Sequence, residues 1–256
     1  MKPEYVESIH TMNDFYICLS EADIVATCLP GYSDTFNVFD KKAFETMKDG
    51  AYFLNVGRGT AVGSAIVTVT VFLFAIFLII NFSMGSYFVC LILPIGFIMM
   101  TAGLHNECEG DRNVTANIGL ILAAVYSTII MLVYYTQLTT VNNEQLNEQA
   151  TKLLEFGKLG LIFNYDLLGY GVMALSTFFT GLSMKPKNKT DKWLRALLMI
   201  HGVFYFSCTF MPITGMFARM SSGGNGIGGR IALFAWCVYF LPIGILSFLH
   251  FNFRKR

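Results

Sequence analysis

The pattern of apolar and polar positions along this chain changes character near residues 62 and 63. Before that point apolar residues come in short runs separated by turn residues: one over 24–28, one over 41–47 that is stopped by Asp49-Gly50, and one over 51–56. This spacing predicts a buried strand, a short helix and a second parallel strand, a single strand-helix-strand crossover. After the seam, six apolar segments recur at 65–82, 86–104, 114–138, 161–182, 194–217 and 231–251. Each approaches or exceeds the ~18 to 20 residues that a helix needs to cross a hydrocarbon core. Lipid offers no partner to a backbone amide, so these segments are expected as helices, even where Val67, Thr68, Val69, Thr70 and Val71 would favour a strand in water.

Composition agrees with a membrane setting. Hydrophobic residues make up 54% of the chain and charged residues 14%, and the mean hydropathy is +0.54, all on the apolar side of a soluble domain. The net charge of +1 hides a local asymmetry. Lys185, Lys187, Lys189, Lys192 and Arg195 fall between the fourth and fifth segments and Arg254, Lys255 and Arg256 end the chain, whereas the 139–158 connection carries Glu144, Glu148 and Glu155 against two lysines. The positive-inside rule then puts the fourth connection and the C-terminus in the cytosol. Counting back through an even number of helices puts residues 1–62 there too, in keeping with the lack of a secretory signal pattern. Tyr134, Tyr135, Tyr165, Tyr170, Trp193 and Trp236 lie near segment ends, where interfacial aromatics are expected. The six cysteines include no CxxC pair and no regular spacing, so neither a zinc module nor a disulfide framework is implied.

Residues 21–31 read Glu-Ala-Asp-Ile-Val-Ala-Thr-Cys-Leu-Pro-Gly, and residues 39–62 run from Phe-Asp-Lys-Lys-Ala-Phe to Leu-Asn-Val-Gly-Arg-Gly-Thr-Ala-Val. In this order they resemble the NAD-binding domain of D-isomer-specific 2-hydroxyacid dehydrogenases. The resemblance implies that Leu29 and Pro30 border the cofactor and that Arg58 holds the substrate carboxylate and carbonyl, a role suited to a planar, permanently charged guanidinium. Residues 1–20 contain no GxGxxG turn, and the family's catalytic glutamate and histidine are replaced by an apolar segment, so phosphate cradle and proton-transfer machinery are both missing here. Arg58 is left as a vestigial clamp. No cofactor is expected, except NAD if a partner supplies the rest of the fold. Two origins fit the seam, a chimeric reading frame and a fusion whose cytosolic fragment completes another subunit. The later stretch from Ala123-Ala124-Val125-Tyr126 to Tyr134-Tyr135-Thr136-Gln137, with Asp166-Leu167-Leu168-Gly169-Tyr170, is similar to uncharacterised bacterial six-helix membrane proteins. That similarity implies no activity.

Few residues in the apolar part carry chemistry. Gly224-Asn225-Gly226-Ile227-Gly228-Gly229 spells GxGxxG but follows no strand, and the 221–229 stretch reads as a flexible Ser/Gly loop. His105, His201 and His250 all fall in the cytosolic half, with Glu107, Cys108 and Glu109 beside His105, which makes them weak candidates for a metal or haem site. No HxxxH or HExxH pair supports them. His201, inside a span, is the strongest of the three. Asp166 is the second intramembrane polar position: a helix beginning at Leu159 puts it inside the bilayer, and one beginning near Leu167 makes it an N-terminal cap, which is the reading favoured here.

The expectation is a mainly α protein: a six-helix transmembrane bundle over 63–256, preceded by a short incomplete α/β (Rossmann-like) fragment over 1–62. The expected setting is multi-pass in a bacterial cytoplasmic membrane with both termini cytosolic, lipid and a homo-oligomer as partners, and no nucleic acid. The primary class is a non-enzymatic membrane protein of unassigned role. An NAD-dependent oxidoreductase acting on 2-hydroxy acids at the membrane is one alternative, and a small transporter or a haem- or metal-binding membrane protein is another.

Overall fold

The computed structural model describes residues 6–27, 29, 35, 37–55, 59–108, 110–216 and 227–252. Contacts divide the chain into two compact units with the boundary between Gly59 and Thr60.

The first unit is the crossover. A 3-10 turn at Met12–Asp14 leads into α1 (Phe15–Glu21), followed by β1 (Ile24–Thr27), α2 (Lys41–Thr46) and β2 (Tyr52–Asn55). Asp40 starts α2 by accepting a hydrogen bond from the Ala43 amide at 2.8 Å, and Gly50, at φ +83°, turns the chain towards β2. The strands pair in parallel from Ile24 opposite Tyr52 to Thr27 opposite Asn55, which a direct hairpin could not achieve. Phe39 packs on Phe15 at 5.3 Å and on Phe53 at 4.9 Å. Only Leu19, Thr27 and Ala43 are buried among the described residues. A sheet of two strands over so thin a core is far short of self-sufficient.

The second unit is helical: α3 (Gly59–Ile79), α4 (Ser83–Asn106), α5 (Asn113–Thr136) continued by a π turn at Gln137–Val141, α6 (Glu148–Leu154), α7 (Leu161–Ser183), α8 (Lys189–His201), α9 (Phe204–Ile213) and α10 (Ile227–Asn252). All six apolar segments are helical, including the β-branched run of α3. The count of six does not hold, however. The fifth segment breaks into α8 and α9 at Gly202–Val203, and the short α6 adds another helix. At the break, turn bonds from Val203 to Ile200 and from Tyr205 to Gly202 replace the α pattern. A Cβ on Gly202 would sit 2.8 Å from the Cβ of Phe178, so the chain there lies directly on α7. Residues 227–229 of the expected Ser/Gly loop are helical instead, since α10 begins at Ile227. Residues 221–226 lie outside the described residues.

Apolar side chains fill the core and also cover much of the outer surface, and buried polar groups collect on α7. α7 buries Asp166, Ser176, Thr177, Thr180 and Ser183 together with Gly169, Gly171 and Gly181. The surrounding helices turn large apolar side chains outward, among them Phe72, Phe88, Ile121, Leu132, Phe206 and Val238. Five helical stretches are long and apolar enough to cross a membrane: Gly59–Ile79, Ser83–Asn106, Gly110–Val141, Lys189–Ile213 and Gly229–Asn252. α7 is 23 residues long but is not among them, because polar residues and glycines dilute its hydropathy.

Candidate functional site

The most unusual polar group of the helical unit is Asp166, and the local fold decides its position. Leu159 adopts a left-handed conformation (φ 54°) that ends the 3-10 turn at Phe156–Lys158, and Gly160 then serves as N-cap of α7. A side chain at Gly160 would collide with the carbonyl of Lys152, so the close passage of α6 fixes where α7 begins. Asp166 is consequently interior to the helix and 2% exposed. The N-cap reading is thereby corrected.

Around Asp166 stand tyrosine and cysteine side chains from α4, α5 and α7 itself. Tyr134 of α5 is close enough to interact electrostatically with the carboxylate. The Tyr170 hydroxyl, one turn along α7, reaches Cys90 Sγ on α4 at 3.9 Å. Tyr126 of α5 packs edge-on against Tyr170 at 5.8 Å and is close enough to interact electrostatically with Asp166. Among the described residues, Asp166 Oδ1 and the Tyr126 hydroxyl find no hydrogen-bond partner. Phe156, just past α6, covers Tyr134, its ring stacking on the tyrosine at 6.2 Å. Gln137 holds that cover in place: its Nε2 donates to the Leu154 carbonyl at 2.7 Å and its Oε1 accepts from the Phe156 amide at 3.0 Å.

Nothing in the sequence pattern had joined these residues. Tyr134, Tyr170 and Trp236 were expected at the membrane interface, but Tyr134 and Trp236 are buried, and Tyr170 makes an edge contact with Trp236 at 5.1 Å inside the bundle. Tyr135, Tyr165 and Trp193 are exposed as expected. The signal that was available is helical phase: Tyr126, Ile130, Val133 and Tyr134 recur at three- and four-residue spacing on one buried face of α5.

The histidines are not brought together. His105 Nε2 lies 2.6 Å from Asn117 Oδ1. His201 is fully buried and its hydrogen bonds fix its tautomer. Trp236 Nε1 donates to His201 Nε2 at 3.1 Å, so Nδ1 carries the proton and donates to Thr177 Oγ1 at 2.8 Å, and that hydroxyl donates onward to the Ala174 carbonyl at 2.9 Å. With both ring nitrogens used, His201 has no lone pair for a metal or haem iron. Trp236→Phe removes the donor to Nε2 and is expected to lower stability by about 1 to 3 kcal/mol, the cost of an orphaned buried acceptor, as read by thermal unfolding in detergent. His250 sits between two carboxylates, with Nδ1 at 2.7 Å from Asp191 Oδ1 and Nε2 at 2.9 Å from Glu107 Oε2. Among the described residues, no group of three or more His, Cys, Asp or Glu side chains is arranged to hold a metal ion.

In the first unit, Leu29 is partly exposed and its amide donates to Thr27 Oγ1 at 3.4 Å. Pro30 and Arg58 lie outside the described residues. Residues 2–68 match the family model of the D-isomer specific 2-hydroxyacid dehydrogenase NAD binding domain. Two curated relatives, the D-lactate dehydrogenases of Lactiplantibacillus pentosus and Lactiplantibacillus plantarum, are each 36% identical over 56 residues, which is 22% of this chain and 16% of theirs. The chain thus carries a fragment of such a domain, covering less than a sixth of those relatives. No solved structure matches the chain. The match extends past the expected seam and ends within α3.

Proposed function

We propose that this chain is a multi-pass integral membrane protein of a non-dehydrogenase kind, spanning the bilayer six times with both termini in the cytosol of a bacterium. α8 and α9 together form one span, and the dehydrogenase-like fragment is a cytosolic, non-catalytic appendage. The observation carrying this reading is the apolar outer surface of the helical unit. The long apolar helices turn Phe, Ile, Leu and Val outward, while α7, rich in Gly, Ser and Thr, buries its polar side chains. Water penalises that arrangement, and lipid favours it, because close packing through small residues rather than burial of apolar ones holds membrane helices together. The basic connection ahead of α8 sets the orientation.

The oxidoreductase alternative rests on one crossover, which supplies neither a phosphate cradle nor a general acid/base. The two readings separate in one preparation. Membranes containing the full chain are washed at alkaline pH and a reporter is fused after Arg256; the chain is expected to stay in the pellet with the reporter cytosolic. The detergent-purified protein is then expected to retain no NAD. Release by the alkaline wash would overturn the membrane reading, and stoichiometric NAD would restore the oxidoreductase.

A further inference from the structure

A carboxylate inside a helical bundle requires compensation. Asp166 belongs to none of the ion pairs formed among the described residues, and its Oδ1 has no hydrogen-bond partner among them. The titratable groups facing it are Tyr87 and Cys90 from α4, Tyr126 and Tyr134 from α5, Cys208 from α9 and Tyr170 from α7 itself. All are neutral in their protonated forms, and no lysine or arginine is among them. An ionised carboxylate desolvated to this degree, with no cation beside it, is strongly disfavoured.

Three buried side-chain polar atoms lack a partner among the described residues, and two of them, Asp166 Oδ1 and the Tyr126 hydroxyl, belong to this one cluster. Buried polar atoms are almost always satisfied, so two together indicate a small polar species that the side chains do not provide. A hard metal cation asks for about six oxygen ligands and usually more than one carboxylate, which this cluster of phenols and a thiol does not offer. A proton on the carboxyl, with a water joining it to Tyr126, meets both needs and removes the charge.

We propose that Asp166 is a proton-binding site of the helical unit, holding an exchangeable proton on its carboxyl at neutral pH and connected through a water to Tyr126. The site is built by α4, α5 and α7, and Phe156 covers its Tyr134. This proposal deepens the membrane reading and rests on it, because a proton-loaded carboxyl enclosed by spanning helices is the element that a proton-linked transporter would use.

The test uses the purified full chain, once the alkaline wash has established membrane insertion. A hydrophobic carbodiimide, which adds to protonated carboxyls in apolar surroundings, is expected to modify the peptide carrying Asp166 at neutral pH. The adduct is lost in Asp166→Asn and kept in Asp191→Asn. Independently, infrared difference spectra between the chain and Asp166→Asn are expected to contain a protonated-carboxyl stretch that shifts in D2O and survives, displaced, in Asp166→Glu. The infrared readout keeps the test decisive if Phe156 shields the site from the reagent. Absence of the carboxyl band from well-folded protein would overturn the proposal. Protection from the reagent by sodium, potassium or calcium salts would also overturn it, in favour of a bound cation.

Discussion

Replacing His250 by leucine is expected to lower the unfolding free energy of the helical unit by about 3 kcal/mol, the low end of what breaking a buried ion pair costs. The ring joins the ends of three helices. Its Nδ1 faces Asp191 at the start of α8 and its Nε2 faces Glu107 just past α4, at 2.7 and 2.9 Å. Neutral imidazole donates from one nitrogen only, so satisfying both contacts requires an imidazolium or a protonated carboxyl. The Asp191 side chain is 2% exposed and the Glu107 side chain 21%, so water recovers Glu107 far more readily than Asp191 when the ring is removed. Asp191 would keep the Lys187 amide, which donates to Oδ2 at 3.0 Å, and lose its cation. The cost therefore sits on one residue. His250→Leu combined with Asp191→Asn should recover most of the loss, and chemical unfolding in detergent followed by tryptophan fluorescence measures both. Equal losses in the single and double variants would mean that ring packing, rather than the stranded carboxylate, is responsible.

The sequence disclosed elements better than it disclosed sites. Periodicity located β1, α2 and β2, since strand and helix there differ in phase and the Asp40 cap and Gly50 turn punctuate them. It did not locate α1, where the apolar run from Phe15 to Leu19 is continuous and shows no helical period, and Leu19 alone is buried. Length and apolarity located the long helices of the second unit but not the short, polar α6, and neither property says that Gly202 must lie against Phe178, so the break between α8 and α9 was not legible. Asp166 was legible as a polar residue near a helix start. Its role turned on a boundary two residues past Leu159, where a left-handed residue and the close approach of Gly160 to α6 push the helix start ahead of it. Tyr126 and Tyr134 were hidden by a different ambiguity. Adjacent Tyr134 and Tyr135 read alike in a linear pattern, yet one is buried and the other exposed, because successive residues on a helix point about 100° apart.

The helix pair that holds the Asp166 site should be the most sensitive to added bulk. α5 and α7 run antiparallel with small residues at their seam. Ser176 Oγ donates to the Gly119 carbonyl at 2.7 Å, and a Cβ on Gly119 would stand 2.6 Å from Thr180 Oγ1 and 3.2 Å from the Ser176 carbonyl. At the opposite end, Gly169 meets Ile130 in the same way. Gly119→Val places a branched carbon where backbone from α7 already lies, so the helices must separate and the Ser176 bond must lengthen. Overpacking of this kind costs about 1 to 3 kcal/mol, and the lost hydrogen bond adds about 1, so a total near 3 is expected in thermal or chemical unfolding. Gly229→Ala is the control, since nothing lies within 4 Å of a Cβ there, and in a helix that change is neutral or stabilising by up to about 1 kcal/mol. Thr180→Ala placed beside Gly119→Ala should relieve the clash, because the hydroxyl is the nearest obstacle. If Gly119→Val proves as mild as Gly229→Ala, the two helices are not packed through this seam, and the enclosure of Asp166 between α5 and α7 would have to be abandoned with it.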